Sequence, residues 1–195
     1  DMGTGCDTIL AQMAAECMDT SVDNVVVFSV DTDISPYDSG SYASATTYAT
    51  GNAVIVTCEE LRRRIRDHGA GLLGKEPEEV DFDGAVVSDG TSSVTLEEIA
   101  VHATGGVCEQ LQVTKTYSSK VSPPPFMAGI AEVEIDKETG KVELIDYVAV
   151  IDCGTPINPN LARVQAEGGL GQGIGMALYE DVQYSDKGTI RNNSF

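Results

Sequence analysis

Basic residues are scarce in this 195-residue chain: 12 Lys and Arg stand against 31 Asp and Glu, a formal net charge of −19. A surface of that sign repels phosphate backbones and anionic headgroups, which argues against nucleic acid and membrane surfaces as partners. Tryptophan is absent and aromatic residues make up only 6%, so the stacking platforms of single-strand binders are missing as well. There is no run of about 18 apolar residues of the kind that crosses a membrane as a helix. The five cysteines (Cys6, Cys17, Cys58, Cys108 and Cys153) are odd in number and form no C-x-x-C pair. That pattern argues against a disulfide scaffold, a zinc knuckle or an iron–sulfur cluster held by this chain, and it fits a reducing, cytoplasmic compartment. Most of the cysteines read as small core residues. Histidine is rarer still. His68 and His102 have no metal-spaced partner and lie outside every serine-rich stretch, so neither a metal ligand set nor a Ser-His-Asp triad can be assembled. The start, Asp1-Met2-Gly3-Thr4-Gly5, is acidic and glycine-rich, unlike a signal peptide.

What remains is an ordinary globular composition, 42% hydrophobic and 22% charged, long enough to bury a core as one domain or two lobes. Apolar positions Leu10, Met13, Ala14, Cys17 and Met18 predict a helix over Thr8–Met18, capped by Asp7 or Thr8. Val25–Val30 reads as a buried strand and Ile34–Tyr42 as a loop. A long helix is expected from about Ala43 to Asp67, broken by Gly69–Gly74. Two short strands flank Asp83-Gly84, and Thr95-x-x-Glu98 is a capping box opening a helix to about His102. Val107–Tyr117 reads as a strand. Met127–Ile135 and Lys141–Ile151 form a hairpin across Lys137–Gly140. Asn158-Pro159 then opens a glycine-rich helix from about Leu161 to Tyr179, and a short strand follows at Asp181–Tyr184. Strands and helices mix without βαβ alternation, so the fold class is α+β. The Pro-rich stretch near 118–125 divides the chain into a first lobe of about 1–117 and a second of about 126–195.

Three stretches carry chemistry. Gly3-Thr4-Gly5-Cys6-Asp7-Thr8 precedes a helix; it is either a tight turn or a loop whose freed amides bind an anion, with Cys6 facing the ligand. Asp38-Ser39-Gly40-Ser41-Tyr42-Ala43-Ser44-Ala45-Thr46-Thr47 holds six hydroxyls in ten residues before the second helix, either a plain capped loop or a neutral anion cradle. Gln165–Gly175 packs five glycines into eight helical positions, each costing about 0.8–1.0 kcal/mol relative to alanine. Something is therefore pressed closely against that helix, another helix or a cofactor. Glu76, Glu78, Glu79, Asp81 and Asp83 read as a solvated edge, with calcium binding as the alternative. Together the stretches describe a backbone-lined pocket for a large phosphorylated cofactor.

Met2–Thr8 with its Ala-rich helix resembles the molybdenum-binding subunit of the xanthine dehydrogenase and aldehyde oxidase family. So do Asp31-Thr32-Asp33…Pro36-Tyr37-Asp38-Ser39-Gly40-Ser41-Tyr42-Ala43-Ser44 and Ile151-Asp152-Cys153-Gly154…Asn158-Pro159…Gln165-Ala166-Glu167-Gly168. The matches keep the family's order and span nearly the whole chain, least distinctively between Gly69 and Ser122. The resemblance implies a molybdopterin-binding domain of two lobes, with the metal held by the pterin's dithiolene and by no protein ligand. It implies cofactor contacts from Met2, Gly3, Thr4 and Gly5 at the pterin, and from Ser41, Tyr42 and Ala43 near the metal. Ser44 and Thr46 would hold the phosphate, and Gln165 would bond the pterin.

The cofactor would be molybdopterin or its cytosine dinucleotide. The parent enzyme would hydroxylate an N-heterocycle or aldehyde with water-derived oxygen, passing electrons to 2Fe-2S and usually FAD on other chains or domains. Implied partners are the first molybdenum-binding domain, the C-terminal remainder, the iron–sulfur and flavin subunits, and a small-molecule substrate. Two departures stand out. Thr4 replaces the family's usual glutamine, and its shorter hydroxyl reaches less far. The family's catalytic glutamate lies beyond the glycine-rich helix and is not found before Phe195. The chain is therefore expected to be a partial second molybdenum-binding domain, inactive alone, with no catalytic residue of its own. Two rivals are an assembly module that kept the fold but lost the chemistry, and a binder of another phosphorylated ligand.

Overall fold

The computed structural model describes residues 2–29, 31–121 and 123–194, so Asp1, Val30, Ser122 and Phe195 lie outside it. The chain divides into two units, Asp1–Ser122 and Pro123–Phe195, and the architecture is α+β. In the first unit, helix α1 (Cys6–Met18) packs on the long helix α2 (Thr46–Leu73). A methyl group placed on Gly51 would meet Met13 Cε at 2.7 Å, and the Arg62 guanidinium donates to the Cys17 carbonyl at 2.8 Å. Contacts advance in the same direction along both chains, so the two helices run parallel and begin at the same end.

The C-terminal half of α2 covers a three-stranded antiparallel sheet of β1 (Asp81–Phe82), β2 (Val86–Ser88) and β3 (Ser93–Thr95). Helix α3 (Leu96–Val101) follows with the expected capping box: Thr95 Oγ1 accepts the Glu98 amide, and Glu98 accepts the Thr95 amide at 2.8 Å. It runs on into a π-helical turn, His102–Gly106. Ile65, Ala70, Val80, Phe82, Val87 and Ile99 form the core, with Leu61, Leu96 and Leu111 packed against it. Burying these side chains from helix, sheet and loop is what holds the unit together.

In the second unit β4 (Phe126–Ile135) and β5 (Val142–Asp152) pair antiparallel with a bulge at Glu132/Val133. Asp136 closes the turn by accepting the Glu138 amide at 2.8 Å and the Thr139 amide at 3.1 Å. Residues directly opposite share a face. One face therefore runs Met127, Gly129, Ala131, Val133 and Ile135 beside Val142, Leu144, Tyr147, Ala149 and Ile151, without a charge. Helix α4 (Pro159–Leu178) is capped by Asn158, which accepts the Leu161 amide at 3.1 Å. None of this unit's described residues is buried.

Several expectations are corrected. Val25–Ser29 of the predicted buried strand is unpaired, with Val26 90% exposed. Its β-branched run has no strand beside it among the described residues. Val107–Tyr117 is likewise irregular and joins no sheet. Helix α2 does not break at Gly69 but continues to Leu73, ending where Gly74 turns left-handed at φ +67. Gly69 stays in the helix because its missing side chain admits Val87 (a methyl group there would lie 2.6 Å from Val87 Cβ). Asp181–Tyr184 forms only a single bridge, Tyr184 to Ile190. Cys108 and Cys153 are exposed rather than core.

Candidate functional site

Two of the three predicted stretches converge within the first unit. Because α1 and α2 run parallel, the loop before each helix lies at their common N-terminal end. Helix α1 begins at Cys6 after Gly5, a left-handed N-cap at φ +78 that carries no side chain. The predicted caps, Asp7 and Thr8, are already inside the helix. Helix α2 begins after Ala45, which has no oxygen to cap with. By contrast, Ser21, Thr95 and Asn158 accept amide hydrogens at the starts of three other helical segments. The amides opening α1 and α2 thus start their helices without a side-chain cap, where the helix dipoles favour an anion.

The loop before α2 is strained. Ala43 and Ser44 both take positive φ, +52 and +56, and the Ala45 amide closes the turn onto the Tyr42 carbonyl at 3.2 Å. Two positive-φ residues in succession form the centre of a type I′ turn, where Asn-Gly is the usual choice. Consecutive left-handed non-glycine residues persist only when their surroundings hold them, and such strain gathers at ligand-binding loops. Tyr42, Ala43 and Ser44 are exposed, Ser41 and Thr46 half-buried. Met2 is 73% exposed beside Gly3 at φ +90, and Thr4 and Gly5 are half-buried.

No lysine or arginine precedes Arg62 in the sequence. The donors that these two loops themselves offer an anion are therefore backbone N–H groups and hydroxyls. That donor set fits a group gripped along its length by neutral hydrogen bonds better than a bare phosphate, which basic side chains usually neutralise.

Gln165 is exposed on α4, in the other unit. Cys6 is buried at the first position of α1, its sulfur 3.8 Å from Asp7 Oδ1. Burial pushes the Cys17 and Cys58 thiols up, which keeps them protonated between the helices. His68 Nε2 lies 3.4 Å from Glu109 and its ring meets His102 edge-on at 6.2 Å. Among the described residues no group of three metal-ligating side chains comes together, the Glu76–Asp83 edge included. Two tethers were not singled out from the sequence. Ser29 Oγ donates to Asp7 Oδ2 at 3.2 Å and Thr50 Oγ1 donates to Asp38 Oδ2 at 3.4 Å. The Asp38-Ser39-Gly40 turn pattern is the one signal that pointed to the second.

The family model for the molybdopterin cofactor-binding domain matches residues 1–195. This chain belongs to that family. The domain is 36% identical over 190 residues to a probable hypoxanthine oxidase, XdhD, of Escherichia coli K12, covering 96% of this chain and 20% of that protein. It is 32% identical to the aldehyde oxidoreductase molybdenum-binding subunit PaoC of the same strain, covering 96% and 25%. Quinoline 2-oxidoreductase from Pseudomonas putida 86 shares its fold with a TM-score of 0.82 and 27% identity, over all of this chain and 26% of that one. The molybdopterin-binding domain thus spans about a quarter or less of these relatives. No helix among its described residues is long and apolar enough to cross a membrane.

Proposed function

We propose that this domain forms one wall of the molybdopterin pocket of a molybdenum hydroxylase whose parent enzyme hydroxylates an N-heterocycle or an aldehyde. The observation that carries the reading is the shared N-terminal end of α1 and α2, with two uncapped helix starts and a strained hydroxyl loop in a stretch free of Lys and Arg. Met2, Gly3, Thr4 and Gly5 hold the pterin, while Ser41, Tyr42 and Ala43 pass near its metal. Ser44, Thr46 and the first amides of α2 hold the phosphate of molybdopterin or of its cytosine dinucleotide, and Gln165 bonds the pterin from α4. When bound, the molybdenum cofactor supplies oxygen transfer and takes up two electrons. The chain's own residues bind and orient it; the proton-accepting glutamate comes from outside residues 1–195, so the domain alone is inactive.

The partners proposed are the first molybdenum-binding domain, the rest of the same enzyme, and cytoplasmic iron–sulfur and flavin subunits carrying 2Fe-2S and FAD. The uncharged face of β4–β5 supports this, because a lone two-stranded ribbon is marginal in water and a large apolar face calls for a partner. Native mass spectrometry with molybdenum and phosphorus analysis, on the assembly purified from its own source, tests the reading. About one molybdenum per copy within a larger complex is expected. A species lacking both elements overturns it and leaves the assembly-module reading.

A further inference from the structure

Asp38 sits eight positions before α2, and its two carboxylate oxygens have separate partners. Oδ1 accepts the Gly40 amide at 2.7 Å, and Oδ2 accepts the Thr50 hydroxyl at 3.4 Å. Gly40 stands at φ +103, where the loop turns away. Thr50 lies in the second turn of α2. The carboxylate therefore clasps the start of the loop to the helix that the loop feeds. Between these anchors lie Ala43 and Ser44, the two consecutive positive-φ residues. A turn so populated is not the resting choice of a free alanine–serine pair, and something outside it must offset the strain.

Electrostatics alone argues against a carboxylate here. A negative charge beside an amide-lined anion cradle lowers anion affinity, and no lysine or arginine stands among the first 61 residues to neutralise it. Geometry accounts for its presence where charge does not. We infer that Asp38 is a positioning residue, holding residues 40–45 in the turn that presents Ser41, Ser44 and the first amides of α2 to the cofactor. The inference rests on the cofactor-pocket reading above. Asp38 acts through the Gly40 amide and Thr50 and touches no cofactor atom itself. The cofactor in turn meets a loop already in its bound form, which lowers the ordering cost of binding.

The test uses the full-length enzyme with Asp38→Ala, Thr50→Val and Thr50→Ser variants. Each is stripped of cofactor, reloaded with molybdopterin, and followed by released-pterin fluorescence and bound molybdenum, with thermal midpoints recorded alongside. Asp38→Ala weakens reloading roughly tenfold or more, the loss of about one charge-assisted hydrogen bond, and saturating molybdopterin restores full occupancy. Thr50→Val moves the same way by a smaller factor, and Thr50→Ser, which keeps the hydroxyl, behaves as wild type. If Asp38→Ala does not fold, the Thr50 pair decides by the same comparison. Wild-type reloading affinity in Asp38→Ala, or in Thr50→Val should that pair decide, overturns the inference while the cofactor reading stands. Failure of the wild-type enzyme itself to take up molybdopterin overturns both.

Discussion

Gly69 of α2 meets Val87 of β2 so closely that a methyl group on the glycine would lie 2.6 Å from Val87 Cβ and Cγ1. Val87 is fully buried in the core, so it has nowhere to move. Propensity alone would make Gly69→Ala stabilising by about 0.8–1.0 kcal/mol. The overlap reverses the sign, and a loss of about 1–3 kcal/mol is expected. Gly71, two residues on, has nothing within 4 Å of such a methyl group, so Gly71→Ala keeps the propensity gain. Denaturant unfolding of the two variants checks the pair: equal and stabilising effects would show that the helix and sheet do not approach as described. Gly69→Ala should cost less in a Val87→Ala background, where the Cγ1 and Cγ2 contacts are gone and only the Cβ overlap remains.

Arg62 joins three elements with one side chain. It donates to the Cys17 carbonyl near the end of α1 at 2.8 Å and to the Phe82 carbonyl of β1 at 2.9 Å, and lies 5.4 Å over the Phe82 ring. Arg62→Met leaves both carbonyls without this donor, with an expected loss of about 2–4 kcal/mol. Lysine should restore less than half, because a single ammonium cannot span both acceptors as a planar fork does. Stability curves that place Arg62→Lys level with wild type would contradict the two-acceptor clasp.

The left-handed turn before α2 predicts an order at position 43. Ala43 stands at φ +52, a conformation that costs alanine roughly 1–2 kcal/mol and a β-branched residue more. Ala43→Gly should leave stability level or raise it by up to about 1 kcal/mol, glycine's greater freedom when unfolded offsetting part of the gain. Ala43→Val should lower the thermal midpoint. The reverse order would place Ala43 outside the left-handed region.

Glu60 gives a pH dependence with a definite sign. Hydrogen bonds from Arg63 (2.8 and 3.1 Å) and then from Arg64 (3.2 Å) pull its carboxyl from 4.5 to about 2. A depressed folded-state value means that the stabilisation is present above the ordinary carboxylate range. It fades as pH falls from about 4.5 toward 2. Glu60 is half-buried at the surface, and the water around the fork screens it, so the effect is modest. Thermal midpoints of wild type and Glu60→Gln, scanned from pH 5 down to 2, should converge at the acid end. Parallel curves throughout would show that the Arg63–Arg64 fork does not hold Glu60.

Local chemistry made much of this molecule legible in its sequence. Thr95 and Glu98 cap α3, Asn158-Pro159 opens α4, and the alternating runs around Lys137–Gly140 pair as a hairpin, because each signal acts within a few residues. The loops before α1 and α2 were legible as glycine- and hydroxyl-rich helix entries. Their convergence was not, since the parallel packing of α1 on α2 depends on Gly51 admitting Met13. Gly69 misled for the same reason: a helix breaker by propensity, it is retained by packing against Val87. Val25–Ser29 misled the other way, a strand by composition with no strand beside it among the described residues.

The grip proposed for the common N-terminal end of α1 and α2 on an anionic cofactor runs through backbone amides. A structure of the molybdenum-loaded full-length enzyme tests it most directly. Cofactor oxygens are expected within about 2.7–3.2 Å of the amides opening α2 and of the Ser44 hydroxyl, with the pterin against Gly3–Gly5. A cofactor seated away from both helix starts would contradict it.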